Sequence, residues 1–251
     1  MRYLQVIIAL AFFVASSTQA AKIAIVIDDI GNHKSHLDAA LLPGKVSFAV
    51  LPYTPYARSF ALRAHHQKKQ ILLHMPMEAV DNIWSGPGEI TSVMSAQQIK
   101  LQLTDALESI PYVEGMNNHM GSKLTQLSIP MHAVMETLSS RQLFFLDSRT
   151  TEFSVAEETA RSLGVKSSRR HVFLDNETDD AYLTKQFTTL LKHARKHGSA
   201  IGIGHPYPET LAFLKEHLPE LEEQGIELVF ASELITVSSR SMSPLPVTSA
   251  K

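Results

Sequence analysis

The chain has 251 residues, of which 44% are hydrophobic and 19% charged, and its formal net charge is -2. This balance is typical of a globular protein with a substantial core, and the small net charge gives no electrostatic basis for binding nucleic acid. Cysteine is absent, which excludes disulfides, thiolate metal ligands and a cysteine nucleophile. Any metal must therefore be bound by histidine and carboxylate side chains.

The first twenty residues differ in character from the rest. Arg2 precedes an apolar stretch at residues 4–14, which is too short to span a bilayer comfortably, and Thr18-Gln19-Ala20 has the small-x-small pattern of a cleavage site. We expect a signal peptide at residues 1–20, with an uncleaved N-terminal anchor as the alternative. The mature protein would then be periplasmic or secreted, with no stable membrane span after cleavage.

Strands and helices are predicted in alternation from residue 21 onward. The predicted strands are residues 22–31, 46–51, 71–73, about 112–116, 143–146, 164–168, 199–204 and 227–230. The predicted helices are residues 56–67, a helix opened by a capping box at Ser95–Gln98, residues 130–140, a helix opened by a capping box at Ser154–Glu157, residues 179–197 and a helix from Glu209.

Such alternation predicts βαβ units and a parallel sheet. The expected fold class is therefore α/β, as a distorted (β/α)7-8 barrel, with an open doubly wound sheet as the alternative. No GxGxxG or P-loop motif supports a nucleotide-binding version of the open sheet, and no nucleotide cofactor is implied. We expect one domain at residues 21–237 and a disordered tail, rich in Ser and Pro, at residues 238–251.

Two adjacent carboxylates, Asp28 and Asp29, end the first strand. The carboxyl ends of parallel strands are where α/β folds build active sites. Like charges on neighbouring residues repel each other, and a metal cation or a shared proton would compensate them. The alternative is a polar strand end that opens a turn or caps a helix.

Further candidate residues stand at other strand ends and would meet Asp28 and Asp29 on one face of a barrel. A catalytic cation commonly takes three His or Asp/Glu ligands, and Asp29, His74 and His119 are the first choice, with Glu78 competing for one place. Asp28 would be the general base that takes a proton from water. His205 would protonate the leaving group, and Asp147 is expected to orient it.

The other candidates carry weaker patterns. His193 and His197 have a metal-compatible spacing but lie among Lys and Arg, and we interpret them as solvated surface. His65, His66, His132 and His171 have no partner pattern, and no GxSxG elbow supports a serine hydrolase. Trp84, Tyr53 and Tyr207 could line a sugar-binding groove, or they could be packing residues.

The sequence resembles the divergent polysaccharide deacetylase family, within the wider group of NodB-like carbohydrate esterases. The strings that carry the resemblance are VIDDIG (26–31), HMPME (74–78), GMNNHMGS (115–122), FFLDSRT (144–150) and IGIGHPYPET (201–210). They span most of the mature chain. The resemblance implies a distorted (β/α) barrel and metal-dependent removal of N- or O-acetyl groups from a polysaccharide, with zinc as the first expectation for the metal.

By resemblance, Asp28 is the catalytic base, Asp29 a metal ligand, His74 the first histidine of an HxxxH metal pair and His205 the acid. Glu78 stands where ordinary deacetylases have the second histidine, so either Glu78 or His119 would replace that ligand. The usual Arg-x-Pro-Tyr turn is absent, and Asn117-Asn118-His119 stand in its place. Substrate contacts are expected from Asn117, Asn118 and Arg149.

Three functions are consistent with these residues. The first is a metal-dependent deacetylase that acts on an amino-sugar polysaccharide such as peptidoglycan. The second is a catalytically inactive envelope protein that uses the same fold to bind glycan or a protein partner. The third is a metal-dependent amidohydrolase with a non-sugar substrate, because activated water can attack any amide.

Overall fold

The computed structural model describes residues 20–235. Apart from Ala20, the expected signal peptide lies outside the described residues, as does the expected tail at 238–251. The strands are β1 (Ala21–Ile30), β2 (Val46–Val50), β3 (Gln70–Met77), β4 (Val113–Met120), β5 (Phe144–Asp147), β6 (Ser167–Arg169), β7 (Val172–Phe173), β8 (Ser199–Gly204) and β9 (Ile226–Leu228). The helices are α1 (Ala57–His66), α2 (Ala96–Ser109), α3 (Ser128–Ser140), α4 (Ala156–Ser162), α5 (Asp180–His197), α6 (Pro208–His217) and α7 (Ala231–Leu234), with 3-10 segments at Lys34–Leu41, Leu124–Gln126 and Leu218–Glu220.

The strands form one parallel sheet that curls into an incomplete barrel. Its strand order is β6-β5-β4-β3-β2-β1-β8-β7, and β9 also pairs with β1. Within the described chain the two ends of this path, β6 and β7, are not hydrogen-bonded to each other, so the barrel is open between them. The expected α/β class and distorted barrel are confirmed.

Three local differences from the sequence prediction matter for the site. Strands β3 and β4 continue to Met77 and Met120, so His74 and His119 lie within strands and not in the turns after them. Strand β7 was not predicted, because two apolar residues after a basic run are too short a pattern. These differences place polar side chains on the regular alternation of a strand, which fixes where they point.

The two predicted capping boxes had different outcomes. Ser95 caps α2 as predicted: its Oγ accepts from Gln98 N–H at 3.3 Å, and Gln98 Oε1 accepts from Ser95 N–H at 2.8 Å. The box predicted at Ser154–Glu157 is wrong, because the residue at the N-cap of α4 is Val155 and Ser154 Oγ accepts from Ala156 N–H at 3.3 Å while donating to Asp147 Oδ2 at 2.7 Å. The Ser154 hydroxyl therefore donates to the buried Asp147 carboxylate and does not form a capping box.

Strand alternation divides the buried side chains between two cores. Along β1, Ile23, Ile25 and Ile27 pack against the helices, whereas Ala24 and Val26 point into the barrel. The inner core continues with Ala49, Leu72, Phe144, Leu146, Ile201 and Ile203. This layer fills the lower barrel and forms the floor of the site above it.

Helix α5 shows how the helices close the outer core. Asp179 caps its start by accepting from Tyr182 N–H at 3.0 Å, and Gly198 ends it with a φ of 86°. Leu183, Phe187, Leu190, Leu191 and Ala194 form its buried face. The helix predicted at residues 179–197 is confirmed. Nowhere between residues 20 and 235 does the fold contain a helix with the length and hydropathy needed to cross a bilayer.

Candidate metal and catalytic site

The site begins where the inner face of the barrel changes from apolar to polar. Asp28 follows Val26 on β1, His74 follows Leu72 on β3, and Asn117 follows Gly115 on β4, each two residues further along its strand. All three side chains are almost fully buried. Because side chains alternate between the two faces of a strand, residues that are up to 89 positions apart lie in one layer above the inner core.

Asp29 would point out of the barrel if β1 were regular, because consecutive strand residues face opposite sides. It has a φ of 56°, and the β1–β2 register shifts between Ile27 and Ile30. This irregularity turns the second carboxylate toward the same pocket as Asp28. A left-handed backbone at a non-glycine residue carries strain, which is often found at functional sites.

Asp29, His74 and His119 converge on one point. Asp29 Oδ1 lies 3.1 Å from His74 Nε2 and 2.8 Å from His119 Nδ1, and the two ring nitrogens are 3.1 Å apart. Among the described residues, Asp29 Oδ1 is nevertheless one of only two buried side-chain polar atoms with no hydrogen-bond partner. One carboxylate and two imidazoles are a donor set that suits zinc and similar divalent cations. The residues present therefore fit a metal ion.

Electrostatics at Asp29 favour the charged form. Burial would raise its pKa, but the attraction of the adjacent His119 and His74 imidazoles outweighs burial and holds the pKa far below its usual range. For His74, burial would lower the pKa, whereas Asp28 and Asp29 raise it. In the absence of a metal the site thus attracts a proton to His74, which is the position where a cation would compensate the two carboxylates.

Asn117 links His74, a candidate metal ligand, to the candidate base Asp28. Its Nδ2 lies 2.8 Å from Asp28 Oδ1, and its Oδ1 lies 2.7 Å from His74 Nδ1. An ionised Asp28 can only accept, so the NH2 group faces Asp28 and the amide oxygen faces His74. His74 must then donate from Nδ1, so in the neutral ring the lone pair on Nε2 is directed toward Asp29 and His119. This is the outer-shell arrangement that fixes the tautomer of a metal ligand.

Asp28 is the more deeply placed of the two carboxylates. It is 2% exposed, and burial raises its pKa, although His74 and His205 oppose the increase and Asp29 adds to it. Its Oδ2 lies 3.6 Å from His74 Nε2. A carboxylate with a raised pKa next to a candidate cation site has the properties of a general base.

His205 follows β8 and is held by an aspartate that sequence reasoning missed. Its Nδ1 lies 2.9 Å from Asp175 Oδ1, and its backbone N–H donates to Asp175 Oδ2 at 2.6 Å. Burial would lower the pKa of His205, but Asp175, with Asp28 and Asp29, raises it to about 9. His205 Nε2 lies 4.0 Å from Asp29 Oδ2. A protonated imidazole facing the carboxylates can act as a general acid.

Asp147 was predicted to orient His205, and this prediction is wrong. Phe145, two residues earlier on β5, packs in the outer core, so alternation directs Asp147 away from the barrel interior. Asp147 instead accepts from Arg149 N–H at 2.8 Å and from Ser154 Oγ. Asp175 follows the apolar run Val172-Phe173-Leu174, which resembles the strand-then-aspartate pattern that selected Asp147 but is too short to identify a strand from the sequence.

Glu78 does not join the metal-binding group. Its Oε1 lies 2.6 Å from Lys123 Nζ, and its Oε2 accepts from Ser92 N–H at 2.5 Å. The burial that would raise its pKa is outweighed by these contacts, which lower it. Of the two alternatives for the third ligand, the geometry brings His119 into the group and gives Glu78 a different role.

Of the three residues expected to contact substrate, Asn117 and Asn118 are buried and Arg149 is half-buried. Asn117 is buried and bridges Asp28 to His74. Asn118 is also buried, where its Nδ2 donates to Met120 O at 2.8 Å and its Oδ1 accepts from Ser148 N–H at 2.9 Å. Arg149 has a φ of 50° and directs its guanidinium toward Ser154 O at 3.5 Å. These side chains hold the strand-end loops in position.

Residues that line the open part of the site include several that the sequence did not single out. Asn32, His33 and His36 form one wall beside Asp29, together with Tyr207. Trp84 stands on the other side, next to His119. Tyr53 lines neither cavity. His33 and His36 had no strand-end position and no partner pattern, so only the three-dimensional fold reveals their place.

Comparison with known proteins agrees with this architecture. The family model for divergent polysaccharide deacetylase matches residues 25–235. A protein from Haemophilus influenzae is 42% identical over 226 residues, covering 89% of this chain and 80% of its own. The crystal structure of an uncharacterised Agrobacterium tumefaciens protein superposes with a TM-score of 0.83 at 24% identity, covering 87% of this chain and 91% of that one.

A more distant structure shares the fold. The catalytic domain of peptidoglycan N-acetylglucosamine deacetylase from Eubacterium rectale has a TM-score of 0.52 at 12% identity, with 84% of this chain and 88% of that one covered. The fold thus has the architecture of carbohydrate deacetylases. The chain belongs to the divergent polysaccharide deacetylase family.

Proposed function

We propose that this protein is a metal-dependent hydrolase that removes acetyl groups from an amino-sugar polysaccharide of the cell envelope, with peptidoglycan as the first polymer to test. The observation that carries the proposal is the convergence of Asp29, His74 and His119 beside Asp28 and the His205–Asp175 pair. Zinc is the cation we propose. The expected signal peptide supports a periplasmic or secreted location.

The residues divide the reaction between two sides of the pocket. When bound by Asp29, His74 and His119, the metal would polarise the acetyl carbonyl and acidify water. Asp28 takes a proton from the attacking water as its oxygen bonds to the carbonyl carbon. His205 gives a proton to the leaving nitrogen as the C–N bond breaks, so that acetate and a free amine are formed. Asp175 holds His205 in the orientation that points Nε2 into the pocket.

The inactive-protein alternative remains a specific second candidate because Glu78 replaces a histidine ligand of ordinary deacetylases. In this chain His119 would take that place in the donor set, a role supported by its Nδ1, which is within 3.1 Å of both other candidate ligand atoms. This substitution favours a working metal site. A metal-dependent amidohydrolase with a non-sugar substrate would use the same catalytic groups. Only a test of which substrates are hydrolysed distinguishes it from a polysaccharide deacetylase.

The test combines metal content with acetate release from N-acetylated peptidoglycan. Asp29→Asn, His74→Ala and His119→Ala should lose stoichiometric metal and turnover together. Asp28→Asn should retain the metal and lose turnover by roughly 10²- to 10⁴-fold. Glu78→Gln is the matched control and should retain the metal.

Three other outcomes separate the alternatives. A wild-type protein that binds glycan but releases no acetate when metal-loaded would favour the inactive binding protein. Release of acetate from simple amides but not from glycans would favour the non-sugar amidohydrolase. Loss of metal in Glu78→Gln but not in His119→Ala would reverse the ligand assignment.

A further inference from the structure

The turn that follows Asp29 is built from two unusual backbone conformations. Asp29 has a φ of 56° and Gly31 a φ of 125°, and between them Ile30 resumes the pairing of β1 with β2. A residue other than glycine keeps a positive φ only where its surroundings fix it. The contacts of this turn therefore determine which way the Asp29 carboxylate points.

Backbone contacts and close packing hold two parts of the turn. Ile30 O accepts from Leu51 N–H at 2.9 Å, and Gly31 O accepts from Tyr56 N–H at 2.9 Å. Gly31 also lies so close to Thr54 that a Cβ on residue 31 would be 2.1 Å from Thr54 Oγ1. These contacts fix the carbonyl groups of the turn, whereas the Gly31 N–H bonds to a side chain.

His36 supplies the acceptor for the Gly31 N–H. Its Nδ1 lies 3.2 Å from Gly31 N, Gly31 is buried, and the His36 side chain is only 8% exposed. An acceptor at Nδ1 requires a neutral ring that carries its proton on Nε2. Burial, together with the adjacent His33, lowers the pKa of His36 and so favours the neutral ring.

The bond to His36 opposes a change that would disrupt the candidate metal site. Without this acceptor the buried Gly31 N–H would be unpaired, which costs free energy. If the turn then relaxed toward regular strand geometry, alternation would direct the Asp29 side chain out of the barrel, away from His74 and His119. The orientation of the carboxylate is thus linked to an imidazole seven positions later in the chain.

We propose that His36 is a positioning residue for the candidate metal site: by accepting from Gly31 N–H, it keeps the Asp29 backbone in the conformation that directs the carboxylate toward His74 and His119. Metal affinity then depends on a residue that does not itself bind the metal. The inference rests on the proposed metal-binding role of Asp29, but not on the reaction or the substrate.

The matched pair of variants is His36→Asn and His36→Leu, because these two side chains have nearly the same shape. Asn offers an oxygen near the position of Nδ1, whereas Leu has no acceptor. We expect His36→Leu to weaken zinc binding about 10- to 100-fold, as the loss of an outer-shell partner does, and His36→Asn to retain most of the affinity. Competition with a chromophoric chelator measures both. His66→Leu, at the exposed end of α1, is the control and should bind zinc as the wild type does.

NMR of the metal-free protein measures the turn directly. The Cα and Cβ chemical shifts of Asp29 report its φ, and hydrogen exchange of the Gly31 amide reports its hydrogen bond. We expect a left-handed Asp29 and a protected Gly31 amide in the wild type and in His36→Asn, and the loss of both in His36→Leu. The nitrogen shifts of the wild-type His36 ring should show a proton on Nε2. A proton on Nδ1 would overturn the proposal without the use of any variant.

The positioning role and the proposed function fail in different ways. Zinc affinity that is unchanged in His36→Leu, or reduced equally in His36→Leu and His36→Asn, would contradict the positioning role and leave the metal site standing. A wild-type protein that bound no zinc would contradict the metal site, while the NMR comparison would still decide whether His36 fixes the Asp29 backbone. If His36→Leu did not fold, the ring tautomer and the Gly31 exchange rate of the wild type would decide the question.

Discussion

Two buried polar side chains on the same face of β3 have very different surroundings. Gln70, at the start of the strand, has every polar atom matched: its Oε1 accepts from Ser47 Oγ and Ser232 N–H, and its Nε2 donates to Glu114 Oε2 and Ser232 Oγ. His74, four residues later on the same face, lies among two carboxylates and a second histidine. It has more acceptors around it than it has protons to offer.

The difference separates a structural network from a functional one. At the amino-terminal end of the barrel, the contacts of Gln70 join β2, β3 and β4 to helix α7, which covers that end. At the carboxyl-terminal end, Asp29 Oδ1 has no hydrogen-bond partner and two carboxylates share one pocket. A polar cluster with all its bonds made stabilises the fold, whereas one with unmatched acceptors is a place for a cation and for chemistry.

The largest expected effect at the functional end is on His205. Replacing Asp175 with Asn removes the charge that holds the pKa of His205 at about 9. Turnover should fall roughly 10²- to 10⁴-fold, and the loss of activity on the alkaline side should begin at lower pH. The pH dependence of kcat and the NMR titration of His205 both measure this change.

Asp147→Asn is the matched control for that prediction. Asp147 is also buried and hydrogen-bonded, but it faces the outer core, so its replacement should lower stability without moving the titration of His205. A shift of the His205 titration in Asp147→Asn, with none in Asp175→Asn, would restore the original sequence-based pairing.

Asn117 allows metal binding and catalysis to be separated. Asn117→Ala removes the acceptor for His74 Nδ1 and should weaken metal affinity about 10- to 100-fold. Asn117→Asp retains that acceptor and should therefore retain most of the affinity, but it replaces the donor to Asp28 with a like charge and should lower turnover about 10²-fold. Competition with a chromophoric chelator measures the affinity, and acetate release measures the turnover.

The two outcomes test one residue in two roles. If Asn117→Asp lost metal as completely as Asn117→Ala, the bridge from His74 to Asp28 would not be what orients the metal ligand. Circular dichroism of both variants shows whether the fold is intact, so that a general loss of structure is not mistaken for either effect.

At the structural end the expected effect is on stability alone. Gln70→Ala leaves Ser47 Oγ and Ser232 N–H without their buried partner, and we expect the free energy of unfolding to fall by about 1–3 kcal/mol. Metal affinity should be unchanged. Urea unfolding of the metal-free protein measures the first quantity, and an equal loss of metal affinity would show that the two ends of β3 are coupled.

Several of the predicted residues that the structure brings together are placed by simple strand alternation. Asp28, His74 and His205 follow buried apolar runs, and the parallel barrel brings such strand ends to one face. The fold was predictable for the same reason, since seven of the nine strands are recognisable apolar or β-branched runs and the helices between them are amphipathic.

The errors in the predicted site arise where a residue faces the other side of its strand or where a strand is too short to recognise in the sequence. Asp147 is one position out of phase with the inner face, which no composition or spacing reveals until the register is known. Asp175 follows a two-residue strand. Asn117 was expected to contact substrate, and its actual role was hidden because it depends on a hydrogen bond to Asp28, 89 positions away in the sequence. Hydrogen bonds between side chains far apart in the sequence could not be predicted from the sequence alone.

The smallest expected effect is a pH dependence of stability away from both ends of β3. His171 Nδ1 accepts from Ile201 N–H at 3.0 Å, which requires a neutral ring. Burial lowers its pKa to about 4, with His193 and Arg169 adding to the decrease. A folded-state pKa below the unfolded value of about 6.5 means that the unfolded chain binds the proton more readily. The contribution of His171 to the free energy of unfolding is therefore fully present above pH 6.5 and lost as the pH falls toward 4.

His171→Gln keeps an acceptor without a titrating ring, so its unfolding midpoint in urea should decline less than that of the wild type between pH 7 and 4. Replacement of an exposed histidine, His66→Gln, should follow the wild type. A parallel decline in His171→Gln and the wild type would assign the acid sensitivity to the carboxylates of the site instead.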